Sequence, residues 1–227
     1  MIKYHGTPIS PKEVFEKKMK GYNVLISYVD SRDLTRAKKI CNKIILDNGA
    51  FSVWKRGISV NWEDYYKWAF THYDRIEKFI IPDVIGGTEE DNDNLLNEFL
   101  NNHKNYKDKA MPVWHTNESL DRLDRLSSMF DYIAFGSAEE HGKVGSKDWT
   151  KKMIDVMNHI CDKDGNPSFK IHMLRCLNRR VFTKYPFYSG DSVTVGVNYK
   201  KYGFDEMMSR MMPYYSPKKW NYVKGIK

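Results

Sequence analysis

Short apolar runs recur along the chain, separated by longer stretches whose apolar positions fall on one face of a helix. The runs are 23–29 (NVLISYV), 43–47 (KIILD), 78–84 (KFIIPDV), 111–115 (MPVWH), 132–137 (YIAFGS), 169–174 (FKIHML), 185–191 (YPFYSGD) and 192–197 (SVTVGV). Most are too short for helices, and they lack the polar alternation of a half-exposed sheet. That pattern predicts strands covered on both faces. Between them, 61–77 begins with Asn61 as a cap and places Tyr65, Trp68 and Ala69 on one side. The stretch 88–103 opens on Thr88 and three acids, which suit a helix N-terminus. Segments 117–130, 147–162 and 205–212 repeat the helical spacing, the first through Leu120, Leu123 and Leu126. Strand and helix alternate, so a parallel sheet wrapped by helices follows. Eight strands would close a compact α/β barrel of the (β/α)8, TIM-like kind, with an open doubly wound sheet as the alternative. No linker or repeat divides residues 1–227, so one domain is expected.

Composition narrows this picture. The 227 residues are 41% hydrophobic, enough for one sizeable core. No run is long enough to cross a bilayer, and the first residues form no apolar signal. Cys41, Cys161 and Cys176 lie far apart with no Cys-x-x-Cys pair. A disulfide scaffold and a thiolate zinc site are therefore disfavoured, and the cytoplasm is the expected compartment. The net charge is +8 and 14% of residues are aromatic, which together favour a nucleic-acid partner with stacking groups. The plain alternative is a Lys-rich chain with no such partner.

The ends of the runs carry the candidate chemistry. They include Asp47-Asn48-Gly49, Pro82-Asp83, Trp114-His115, Gly136-Ser137, His172-Met173 with Arg175 beyond, and Gly190-Asp191-Ser192. In a parallel barrel these ends gather on one rim, where such folds keep their chemistry. Taken singly, Asp47 and Asp191 read as turn residues, Asp83 as a cap for the helix near Thr88, and His115 as a local hydrogen-bonding group. Three acids in one cleft are harder to assign to turns, because like charges brought together are costly.

The ordered set LDNGAFS, IPDVIGG, FGSAEE, KIHML and SGDSVTV resembles the motifs of the tRNA-guanine transglycosylases, the queuine and archaeosine enzymes. The likeness spans about Ile44 to Val195 and is greater still to short phage-type relatives that exchange guanine in DNA for a 7-deazaguanine. It implies that Asp191 is the nucleophile on the anomeric carbon and Asp47 the general acid/base. Asp83 would bind the edge of a guanine-like base, Gly136 and Ser137 its carbonyl, and Phe51 and Met173 its two faces. Asn48 and His115 would complete the base-binding set. The family's cysteine-rich zinc site is absent, Ser52 stands where its motif has Gln, and His115 stands where a Gln commonly meets the base.

The resulting expectation is base exchange in nucleic acid, DNA first and tRNA second, with a free 7-deazaguanine as co-substrate. No metal, cofactor or membrane is expected, and a phage-encoded protein acting in a host cytoplasm would fit. The rivals are a DNA glycosylase that hydrolyses the same bond and a non-catalytic binding module. Lys55, Arg56, Arg175, Arg179, Arg180, Lys200 and Lys201 all follow strand ends and are expected to border the rim and meet phosphates.

Overall fold

A computed structural model describes residues 1–138 and 142–222; Glu139 and Glu140 of the FGSAEE stretch lie outside the described residues. The strands are β1 (Ile2–Gly6), β2 (Asn23–Ser27), β3 (Ile44–Asp47), β4 (Lys78–Ile80), β5 (Ala110–Met111), β6 (Val113–His115), β7 (Tyr132–Gly136), β8 (Lys170–Met173) and β9 (Ser189–Ser192). The helices are α1 (Lys12–Lys18), α2 (Leu34–Ile40), α3 (Ala50–Arg56), α4 (Trp62–Thr71), α5 (Glu89–Asn102), α6 (Leu120–Met129), α7 (Lys147–Ile160), α8 (Arg179–Phe182), α9 (Thr194–Tyr202) and α10 (Phe204–Ser209).

All nine strands are parallel, in the order β5-β4-β3-β2-β1-β9-β8-β7-β6. The two ends of that order are successive pieces of one run, split at Pro112. Proline has no N–H to give to a ladder, so the strand is interrupted there. Its carbonyl still accepts the Ala134 N–H at 2.9 Å, and the Met111 carbonyl accepts Ile81 N–H at 2.9 Å. The sheet is thus a nearly closed, TIM-like barrel with helices outside it.

The period-2 alternation of strands divides the core into two layers. Tyr4, Leu25, Ile45, Ile80, Met111, Val113, Tyr132 and Ala134 form one buried cluster, the barrel interior. Their neighbours in sequence, among them Ile26, Leu46, Phe79, Trp114, Phe135 and Ile171, pack in a second cluster against the helices. The helix starts use the expected chemistry. Asn61 accepts the Glu63 N–H at 3.0 Å, and Thr88 with Asp91 forms a reciprocal capping box. That box satisfies the start of α5, so Asp83 is not its cap.

Two runs depart from expectation. The stretch 192–197 is not a strand: the Ser192 hydroxyl accepts the Thr194 N–H at 3.1 Å and opens α9 instead. Of its alternating valines only Val195 is buried, while Val193 and Val197 are 53% and 70% exposed. The opening strand β1 was hidden in the sequence because Lys3 and His5 interrupt its apolar residues; both are nonetheless buried. The short helices α1, α2 and α3 were also unannounced. Among the described residues no helix is long and apolar enough to cross a membrane.

Candidate active site

The interior alternation that places Ile45, Val113 and Ser189 inside the barrel also places the residue two further on there. Those residues are Asp47, His115 and Asp191, at the carboxyl ends of β3, β6 and β9. Asp83 follows β4 after Ile81-Pro82 and joins them. Chemistry at this rim therefore follows from strand parity.

Asp191 is 4% exposed. Its Oδ1 accepts the backbone N–H of Arg175 at 2.9 Å and lies 3.3 Å from His172 Nε2. Among the described residues Oδ2 has no hydrogen bond. Arg175 presents that N–H from a left-handed backbone, φ 58°, which costs an ordinary L-residue on the order of 1 kcal/mol. His172 is fully buried, and its Nδ1 shares a hydrogen bond with the Ser189 hydroxyl, which in turn meets the Tyr132 hydroxyl. A buried chain Asp191–His172–Ser189–Tyr132 therefore fixes the carboxylate from below.

Asp83 sits at the head of a second network. Oδ1 accepts Asn48 Nδ2 at 2.9 Å, and Oδ2 lies 3.0 Å from His115 Nε2. The same Asn48 amide donates to the Ile81 carbonyl, and its oxygen accepts the Ala50 N–H at 2.7 Å, so the amide is locked in one orientation. Behind His115, Glu118 accepts the His115 N–H at 2.8 Å and faces its Nδ1 at 3.4 Å. Glu118 is neutralised by Arg122 at 2.6 Å, and both side chains are nearly inaccessible. Arg122 Nε completes its own contacts on Asp93 at 2.7 Å. Burial alone would lower the His115 imidazole. The hydrogen bonds and charges of Asp83 and Glu118 outweigh it and push the pKa from 6.5 up to about 9. His115 is therefore an imidazolium at neutral pH, wedged between two carboxylates. Gly136 makes room for it: a Cβ there would stand 2.7 Å from His115 Cδ2.

Asp47 has the opposite character. Burial of its carboxyl, followed by the charges of Asp191 and Asp83, raises its pKa from 3.8 to about 7. The Gly49 N–H, 3.1 Å from Oδ2, and the nearby Ser27 hydroxyl oppose that rise. Asp47 is therefore both a turn former and a proton-holding acid. Gly49 adopts φ +80°, and a Cβ on it would fall 2.5 Å from Val29 Cγ2, so the turn needs glycine.

Of the expected site residues, the structure brings together Asp47, Asn48, Asp83, His115, Gly136, Asp191 and Arg175, with Ser137 exposed at the edge. Phe51 lies at the mouth, its ring covered by the Arg175 guanidinium at 3.7 Å. Met173 is a correction. It is fully buried in the outer layer between sheet and helices and offers no face to a ligand. The inward-facing neighbour is Leu174, which packs against the interior cluster. Lys55 and Arg56 are exposed in the last turn of α3. Arg175, Arg179 and Arg180 line one cleft with Ser192. Lys200 and Lys201 lie beyond the first turn of α9. They sit in the last turn of α9, where a rise of about 1.5 Å per residue puts them roughly 10 Å along the helix from the strand end.

His172 was named in the sequence only as a strand end, and Ser189, Tyr132, Glu118 and Arg122 had no role in that reading. One signal was present: Ile171 and Met173 share a parity, so His172 between them had to face the interior. Nothing local marks Glu118 and Arg122, whose partners lie on other elements. Among the described residues, no group of three or more His, Cys, Asp and Glu is placed to hold a metal ion. A hollow of about 530 Å³ at the opposite end of the barrel, lined by Ile2, Asp131, Lys170 and Tyr188, contains none of the three rim acids. Compared with family models, curated proteins and solved structures, the chain matches none.

Proposed function

We propose that the protein exchanges a guanine-like base in nucleic acid, with DNA as the substrate and a free 7-deazaguanine as the incoming base. The observation that carries this is the division of labour between two carboxyls at one rim. Asp47 is held near pKa 7 by burial and by the Asp191 and Asp83 charges, while Asp191 is gripped on Oδ1 by the Arg175 N–H and His172. Two carboxyls pushed to different roles are what glycosidic exchange needs.

In this reading Asp191 Oδ2 attacks C1′ as the C1′–N9 bond breaks, and Asp47 gives its proton to the departing base. The incoming base then loses its N9 proton to Asp47. Its N9 attacks C1′, which releases Asp191 and restores both carboxyls. Asp83, held between the His115 imidazole and the Asn48 amide, retains lone pairs for two N–H donors on a guanine edge. The nucleotide must leave its stack to reach these groups, and the face of Phe51 supplies a surface once Arg175 moves aside. The chain is read as one barrel domain, without the zinc subdomain of the transglycosylases it resembles.

The test is intact-protein mass spectrometry after incubation with guanine-containing DNA in the absence of free base. A covalent adduct is expected on the wild-type protein and none on Asp191→Asn. No adduct on either, and no incorporation of labelled guanine into the DNA, would remove the proposal. Abasic sites formed without added base would replace exchange by hydrolysis.

A further inference from the structure

The cleft beside Asp191 has a volume of about 650 Å³ and is lined by Arg175, Arg179, Arg180 and Arg210 against a single carboxylate, Glu206. Glu206 is already paired with Arg210 at 3.1 Å. Arg175, Arg179 and Arg180 form no ion pair with any other described residue, and Arg180 has no side-chain partner among them at all. Three guanidinium groups are therefore left without a counter-charge in one concavity. The hydroxyls of Ser192 and Thr194, hydrogen-bonded to each other at 2.5 Å, leave one O–H to donate along the same wall. The first turn of α9, a helix of nine residues, begins there at Thr194 and adds its positive dipole end.

We propose that this cleft is a phosphodiester-binding subsite for the strand whose nucleoside reacts at Asp191. The planar fork of a guanidinium matches two oxygens of a phosphate, and three such unpaired forks with a hydroxyl donor suit an anion carrying several oxygens. Its position is set by the chain: Ser192 directly follows Asp191, and Arg175 both lines the cleft and gives its N–H to the Asp191 carboxylate. A phosphate seated here flanks the sugar presented to Asp191. A free base or free nucleoside has no group for the cleft, so the cleft selects a nucleotide within a strand. The placement next to a reacting sugar rests on the function proposed above; the anion binding does not.

The experiment measures fluorescence anisotropy of a short fluorescein-labelled single-stranded oligodeoxynucleotide containing guanine, titrated over a series of salt concentrations. Two variants lie outside the proposed chemistry and carry opposite signs. Arg180→Gln removes a cation with no side-chain partner and is expected to make the log–log salt slope shallower by about 0.7. Glu206→Gln removes the cleft's one carboxylate and is expected to tighten binding severalfold at low salt. Inorganic pyrophosphate is expected to compete with the oligonucleotide on the wild-type protein and less well on Arg180→Gln. Thermal melts matching the wild type establish that each variant is folded. Slopes and affinities equal to wild type in both folded variants would overturn the subsite. Asp191→Asn separates the two proposals, because it is expected to keep the salt slope while losing the covalent adduct. A slope that responds to Arg180 with no adduct leaves the phosphate site standing without the exchange reaction. An adduct with an unresponsive slope does the reverse.

Discussion

The imidazolium of His115 makes a prediction that needs no substrate. Its pKa is 6.5 when free of partners and about 9 between Asp83 and Glu118. The folded protein thus holds this proton more tightly than the unfolded chain. The stability it contributes is fully present below about pH 6.5 and is lost as pH rises through about 9. At about 1.4 kcal/mol per pH unit between those values, the total is about 3 kcal/mol, of which about 2 is lost between pH 7 and pH 9. Other groups titrate nearby. Asp47, raised to about 7, makes stability fall with rising pH, but only up to that point. The Met1 amine, lowered from 8.0 by burial and by Lys3, acts in the opposite direction within the window. Cys41, Cys161 and Cys176 are all raised above 9.0 by burial and take effect above the window. Comparison with His115→Gln cancels these, because the variant keeps all of them and retains a side-chain N–H for Asp83. Urea unfolding at several pH values gives the stability of each. The wild type is expected to lose about 2 kcal/mol relative to the variant as pH goes from 7 to 9. Parallel stability curves across that range would refute the charged state of His115.

The two remaining predictions concern the rim. Base release from DNA is expected to fall about tenfold per pH unit above pH 7 as Asp47 loses its proton, and Asp47→Asn should abolish that limb of the kcat/KM profile. Gly136→Ala is expected to force His115 off Asp83, because its Cβ would stand 2.7 Å from His115 Cδ2. A loss of about 1–3 kcal/mol in urea unfolding and a fall in the His115 pKa, read by NMR titration, are the expected results. A Gly136→Ala protein as stable as wild type, with an unchanged imidazole, would show that the ring has room to move.

How much of this was legible in the sequence differs between backbone and site. The parallel barrel could be read because buried strands leave dense apolar runs, and seven of the eight runs proposed as strands hold two or more strand residues in the structure, while 192–197 holds only Ser192. The count of eight nevertheless arose from two compensating misreadings. SVTVGV has strand composition, yet it begins on the last residue of β9, where the Ser192 hydroxyl accepts the Thr194 N–H and the chain turns into a helix, so tertiary placement overrides propensity. IKYHG has the composition of a surface segment, yet Lys3 is only 6% exposed and His5 is completely buried, its pKa lowered to about 4 by burial. A lone pass for apolar runs is blind to a strand that buries a lysine stem and a neutral imidazole.

The site was legible only to the extent that strand parity carries it. Asp47, His115 and Asp191 stand two residues beyond interior positions, so once the strands are placed the inward direction of their side chains follows. Met173 shows the same rule working against an analogy. It stands one residue after His172 and shares the outer parity of Ile171, so on a continuous strand it had to face the helices rather than a ligand. What parity does not reveal is charge state. The proton on His115 depends on Glu118, three residues away but reached across a turn, and on Asp83, which comes from a different βα unit. The shift at Asp47 comes first from burial within the closed barrel and then from Asp191, the strand-end acid furthest from it in sequence. Each acid of the rim takes its character from an element that the linear chain places far away. The local motifs therefore locate the chemical groups, and the closing of the barrel decides which of them holds a proton.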